Sequence, residues 1–448
     1  MESMLIQRPL VRDLAIGAAV VAIGVALVFV SGGAALTVAL VLALTVWLIA
    51  RKTFIAPLGR KFNFYAGLSL ILRPVVGMFL VAVSGPNTDF QSYFANAKAY
   101  VFGNGSSLIY QTHSVPGTGA VDRVSIGLYR CGLTTMASQT VVYAVVGWLG
   151  IALSAAAIVH WVNPEMFRRL DRSDRNSRRA IIALLFLPSS LLWVSVVGKD
   201  ALMALAIGLT LFGVTRLATG RRGRGALAAG TIIGLLVRPH VVLLLLVVVG
   251  IAFLLPSKAA ISPSRGARAR PRRTTGSLFL PLALVVLVAP IAFSFLQTGL
   301  HADTASEALA AVGHRTDYGG SSFAPPSLLS PTAPLLVPLT VFFRPFPQEA
   351  GTILAFFESL ESAAALVLLG WILATRAGRL RRRVRDPLAR SAALYLIGFA
   401  IVFNSISNFG LLSRQRVQAL EMAVALVAVL LAGSDAPVPA PSGGDRAA

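Results

Sequence analysis

Long apolar runs separated by short blocks of arginine are the feature that most restricts this chain. Residues 14–30, 34–50, 64–83, 140–159, 278–296 and 353–374 are each about long enough to cross the hydrocarbon core of a bilayer. Further apolar tracts lie at 180–218, 226–255, 391–403 and 417–431. A crossing has no water to satisfy its backbone, so runs of this length fold as helices. Composition agrees, with 56% hydrophobic residues and 13% charged, against roughly 25% charged in soluble domains. The mean hydropathy is +0.76. The expected class is therefore all-α: a polytopic integral membrane helix bundle of about twelve transmembrane helices.

The net charge of +22 does not point to nucleic acid, because the basic residues sit in blocks between apolar runs and not along one polar face. Arg51, Lys52, Arg60 and Lys61 form one block. Arg168, Arg169, Arg172, Arg175, Arg178 and Arg179 form another, followed by Arg221, Arg222 and Arg224 and by the seven arginines from Arg376 to Arg390. Under the positive-inside rule these blocks and both termini are cytoplasmic, which predicts a multi-pass protein of the cell membrane. The span at 14–30 reads as a retained helix and not a cleaved signal, since a second span follows at once. Residues 1–433 then form one transmembrane domain. It has extracytoplasmic loops at 84–139 and 297–349, a basic cytoplasmic loop at 257–276, and a disordered tail at 434–448. Within the second large loop, the apolar stretch 335–343 is too short to cross and reads as re-entrant or interfacial. Cys131 is the one cysteine, so no internal disulfide forms, and five scattered histidines offer no zinc spacing. No cofactor is expected, and nothing in the sequence supports a divalent metal.

Charges left over by this topology are the candidate site. Asp89 follows the third apolar run and opens a stretch in which Phe90, Phe94, Ala97 and Val101 share one helical face, predicting a short amphipathic helix. Lys199, Asp200, Arg238, His240, Arg344, Glu349, Arg414 and Arg416 fall on the same outer side. Guanidinium groups bind phosphate oxygens in a fork and stay charged, so such a set suits a lipid-borne phosphate, with one carboxylate as general base. Plainer readings stand beside these. Lys199 and Asp200 can form an exposed turn pair, Arg344 and Glu349 a local bridge, and Arg414 and Arg416 can flank a helix end before a last span at 417–431. Arg73, midway along the third run, either faces other helices or a wet cavity, or snorkels to a headgroup.

Four stretches carry a resemblance: Pro188-Ser-Ser-Leu-Leu-Trp193 through Gly198-Lys199-Asp200, Val237-Arg238-Pro239-His240, Phe343-Arg344-Pro345-Phe346 with Glu349, and Asn408-Phe-Gly-Leu-Leu-Ser-Arg414-Gln-Arg416. In this order they resemble the signatures of a family of actinobacterial multi-pass membrane proteins associated with cell-surface polysaccharide production. More loosely, the chain is similar to the C-type glycosyltransferase superfamily and to O-antigen polymerase-like proteins. Asp89 matches the position of the catalytic acid in the first outer loop of that superfamily. Two extra helices precede the loop here, and no acidic doublet surrounds Asp89, so a metal requirement does not carry over.

The resemblance implies a membrane glycosyltransferase or polysaccharide polymerase using a polyprenyl-phosphate-linked sugar donor and a glycan acceptor at the extracytoplasmic face. Asp89 would be the base. Lys199, Arg238, His240, Arg344, Arg414 and Arg416 would hold the lipid phosphate, supported by Asp200 and Glu349. The alternatives are a lipid-linked glycan flippase or exporter, with Arg73 and Arg238 along the route and Glu358 and Glu361 answering a proton gradient, or a non-catalytic assembly subunit.

Overall fold

The computed structural model describes residues 33–85, 88–103, 117–255, 285–286, 290, 304–317, 321–383 and 385–432. The expected span at 14–30, the basic loop 257–276, nearly all of 278–296, the start of the second large loop and the tail 434–448 lie outside these residues. Among the described residues the protein is all-helical, with one isolated bridge between Ser322 and Asn408 in place of any strand. Five helical stretches are long and apolar enough to cross a membrane: Ala34–Leu58, Arg60–Val83, Met136–Val162, Lys199–Ala218 and Ile353–Arg376. The protein is an α-helical, membrane-embedded one.

Helix α1 (Ala34–Ala50) runs through a π and a 3-10 turn to Gly59, where the chain reverses into α2 (Arg60–Val83). Gly59 has φ 119°, and a side chain there would also press on the Phe167 carbonyl, so the turn requires glycine. Between α2 and α5 (Met136–Val162) the described residues form two helices. These are α3 (Asp89–Val101), as the spacing predicts, and α4 (Thr118–Arg130), which the sequence reading passes over. The two pack on each other through Phe94 and Tyr129 and through Asn96, which donates to Asp122. The most buried residues of α3 are Phe90, Tyr93 and Ala97, with Phe94 and Val101 half-buried. Its inner face is thus centred on Tyr93, a small rotation from the expected one.

Helix α5 is apolar all round and almost wholly buried, as a helix at the centre of a bundle must be. It packs against α8 (Lys199–Ala218), where Gly150, Ala204 and Gly208 bring the two backbones together. In turn, α8 packs on α9 (Arg224–Val237) through Gly230 over Ala206 and Thr210. Apolar lipid gives helices little hydrophobic reason to associate, so close approach at small residues supplies the attraction.

Between α6 (Arg175–Phe186) and α8 the chain breaks twice. Pro188 opens a six-residue helix, α7 (Pro188–Trp193), and residues 194–198 are non-helical and buried. Buried irregular backbone needs protein partners, and it has them. Arg73 of α2 donates to the Ser190 carbonyl and hydroxyl at 3.0 Å each. Gly77 and Gly147 leave room for the carbonyls of Ser195 and Val194. Arg73 thus faces other helices, and the snorkelling reading falls. A second break, at Arg238 and Pro239, separates α9 from α10 (Pro239–Leu254); both are short, as the sequence predicts.

Helix α11 (Ala305–Thr316) lies in the second large loop, and α12 (Ala333–Phe343) is too short to cross and packs on the three helices that follow. These are α13 (Ile353–Arg383), α14 (Pro387–Phe403) and α15 (Phe409–Leu431). Helix α13 is the most exposed of the long ones, with Ile353, Phe357 and Val367 open on its surface. Glu361 pins it inward by accepting from the backbone N–H and hydroxyl of Ser189, both at 2.7 Å. Helix α15 begins eight residues before the expected 417, because the Asn408 side chain accepts from the Leu411 N–H and caps it. Arg414 and Arg416 are therefore part of the helix and not of the loop before it.

Candidate functional site

The break before α8, the corner between α9 and α10, the start of α3 and the second turn of α15 meet at one place. Asp200, the second residue of α8, is 2% exposed, and each of its oxygens is taken by a different arginine. Arg238 Nη1 donates to Oδ1 at 2.9 Å, and Arg414 Nε donates to Oδ2 at 2.5 Å. Arg414 extends further: its Nη1 donates to Asp89 Oδ2, also at 2.5 Å, joining residues 325 apart in the chain. The guanidinium of Arg414 lies over the Trp193 ring at 5.7 Å, and Gly198 lets its Nη2 approach the backbone. Lys199 and Tyr93 lie within electrostatic reach of the same four charged groups, and His240 within reach of Arg238 and Lys199. The expected exposed pair of Lys199 with Asp200 is not what forms, since Asp200 turns to the two arginines.

The two carboxylates differ in how firmly they are held. The Asp200 links are buried, and removing one partner of a buried pair costs about 3–5 kcal/mol because the other charge is stranded. The Asp89 side chain is 59% exposed, and an exposed ion pair is worth at most about 1 kcal/mol. Three cations, Lys199, Arg238 and Arg414, thus face one fixed acid and one replaceable acid. The site carries a net positive charge and an open side.

The remaining expected residues form a different centre. Arg344 and Glu349 make the local bridge, Nε to Oε1 at 3.0 Å and Nη2 to Oε1 at 2.5 Å, and the Phe346 N–H donates to Oε2 at 2.8 Å. Arg344 also lies over Phe323 and Phe409, which stack 4.2 Å apart. Partial burial would raise the Glu349 carboxyl, but the hydrogen bonds from Arg344 and Phe346 and the Arg344 charge outweigh it and hold the group below the usual glutamate range. Arg416 is 6% exposed and donates to the carbonyls of Phe342 and Arg344 at 3.0 Å each, capping the end of α12. Among the described residues, hydrogen bonds do not join Arg344, Glu349 or Arg416 to Asp89 or Asp200.

Two residues join the picture that the sequence reading did not place in a site. Trp193 supplies the ring beneath Arg414 and donates its indole N–H to Glu358. Glu421, midway along α15, accepts from Ser154 and lies within reach of the Arg73 charge. The signal for Trp193 was its place between two helix breaks; a lone glutamate in an apolar run was the signal for Glu421. Among the described residues no group of three His, Cys, Asp or Glu side chains gathers in a way that could hold a metal. No protein-family model, curated protein or solved structure matches this chain.

Proposed function

We propose that the protein is a membrane glycosyltransferase or polysaccharide polymerase that uses a polyprenyl-phosphate-linked sugar in cell-envelope polysaccharide assembly. In this reading the chain crosses the plasma membrane about twelve times with both termini cytoplasmic, so that the Asp89 cluster faces the extracytoplasmic side. The observation that carries the proposal is the convergence of an exposed carboxylate, Asp89, with Arg414, Arg238 and Lys199 around the buried Asp200. The resemblance of the motifs bearing Lys199, Arg238 and Arg414 to surface-polysaccharide proteins points the same way.

The chemistry balances without further reactants. The acceptor hydroxyl oxygen forms a bond to the anomeric carbon, and Asp89 takes the hydroxyl proton. The bond from that carbon to the phosphate oxygen breaks, and the electron pair leaves with the phosphate, whose charge Arg414, Arg238 and Lys199 neutralise. Asp200 holds the two arginines in place and takes no proton.

The exporter alternative draws less support. It needs Arg73 and Arg238 free to line a route and Glu358 and Glu361 free to answer a proton gradient, whereas Arg73 is bonded to Ser190, Arg238 to Asp200, Glu361 to Ser189 and Glu358 to Trp193. The test is transfer in proteoliposomes from a polyprenyl-phosphate-linked sugar. Asp89→Asn should lower the transfer rate by about 10²–10⁴-fold while insertion into the membrane is unchanged. A fully active Asp89→Asn protein removes the base assignment.

A further inference from the structure

A carboxylate hydrogen-bonded to a guanidinium is held in the orientation that bond sets. As it stands, Asp89 is in that state: its carboxylate accepts from Arg414 Nη1 at 2.5 Å, and among the described residues it bonds to no other side chain. If Asp89 is the base, release from Arg414 lets it turn toward an acceptor hydroxyl. Arg414 can let go of one carboxylate far more readily than the other. Asp200 is 2% exposed and locked by two arginines, so its departure would strand both. Asp89 stands at the first residue of α3 and is mostly exposed, so water takes over its charge when it leaves. Among the described residues, the Nη1 direction of Arg414 is thus where a carboxylate of the cluster can be exchanged for another anion. A phosphate group carries more acceptor oxygens than a carboxylate and can accept from the same Nη1. The indole face of Trp193 under the guanidinium, with Gly198 behind it, keeps Arg414 in position while the exchange takes place.

We propose that Asp89 occupies the seat of the donor phosphate on Arg414 in the resting protein, and that the phosphate displaces it and thereby frees the base. The proposal rests on the reading of this site as a polyprenyl-phosphate site. It orders the reaction, since Asp89 is free to turn to the acceptor hydroxyl once the donor is bound. It also separates the two roles of Asp89, which opposes donor binding and promotes transfer.

The experiment is equilibrium binding of farnesyl phosphate to the purified full-length protein in nanodiscs, with farnesol as the uncharged control. Wild type, Asp89→Asn, Asp89→Ala and Arg414→Ala are compared. Both Asp89 variants are expected to bind farnesyl phosphate about three- to tenfold more tightly than wild type, the gain set by the loss of an exposed competing pair. Arg414→Ala should lose the preference for farnesyl phosphate over farnesol. Equal or weaker binding by both Asp89 variants, with the preference intact in wild type, overturns the exchange and leaves the phosphate site standing. No preference for farnesyl phosphate over farnesol in wild type or in either Asp89 variant overturns the site itself, and the exchange with it. Because Asp89 is exposed and outside the long apolar helices, its variants test the proposal even where Arg414→Ala does not fold.

Discussion

Arg414 and Arg416 stand two residues apart on α15, about 200° around the helix axis, and so meet different neighbours. Arg414 bonds to carboxylates from two distant segments, one buried and one exposed, and rests on Trp193. Arg416 bonds to two backbone carbonyls at the end of α12, with the Glu358 and Glu361 charges within reach, and no exposed carboxylate is hydrogen-bonded to it among the described residues. Arg416 is buried and Arg414 nearly so, and the sequence reads both as phosphate ligands. Burial alone does not mark a ligand-binding arginine. What marks it is a partner that can leave.

The largest effect that tests this contrast is on the fixed acid. Asp200→Ala leaves Arg238 and Arg414 buried without their shared carboxylate, and should cost about 3–5 kcal/mol in thermal unfolding of the detergent-purified protein. Little change in melting would mean that the two arginines reach water or other acids, and the distinction between fixed and replaceable carboxylates would fail. Arg416→Ala should cost less, about 1–3 kcal/mol for two uncapped carbonyls, with farnesyl phosphate affinity unchanged within about twofold. A loss of affinity as large as that of Arg414→Ala would break the comparison outright.

Glu349 gives a smaller, pH-dependent effect. Its folded carboxyl titrates below the usual glutamate range, so the Arg344 link is fully present above that range and is lost as pH falls through the lowered value. Glu349→Gln should remove at most about 1 kcal/mol at neutral pH and flatten the acid limb of melting temperature against pH. An unaltered acid limb would show that other carboxylates dominate it. The smallest expected change is at Gly198, where a methyl group would sit 3.3 Å from Arg414 Nη2. Gly198→Ala should shift farnesyl phosphate affinity by less than about threefold, and a larger loss would place the Arg414 fork under tighter steric control than the contrast with Arg416 requires.

Much of the architecture was legible because it is local. The period of Phe90, Phe94, Ala97 and Val101 marks α3, and Pro188 and Pro239 mark breaks where they occur. The Arg344 bridge was legible for the same reason, its partner lying five residues away. Helix α4 was missed because Gly117, Gly119 and Gly127 resemble loop composition, although Val121, Ser125 and Tyr129 recur on one buried face. The start of α15 was missed because Asn404 to Asn408 reads as a turn, and a helix carrying Arg414 and Arg416 pays for burial with partners that are elsewhere in the sequence. The meeting of Asp89 with Arg414 spans 325 residues, and no periodicity encodes a contact of that kind.

The non-helical stretch 194–198 has a mechanical consequence. Its carbonyls at Val194 and Ser195 sit in notches that Gly147 and Gly77 leave in α5 and α2, closer than any side chain would permit. Sliding either helix by one residue would bring a valine, a methionine or a tryptophan into the notch. The segment therefore works as a detent, holding α2, α5 and the head of α8 in one register. The charged cluster built on that head is thereby kept at one height in the bundle.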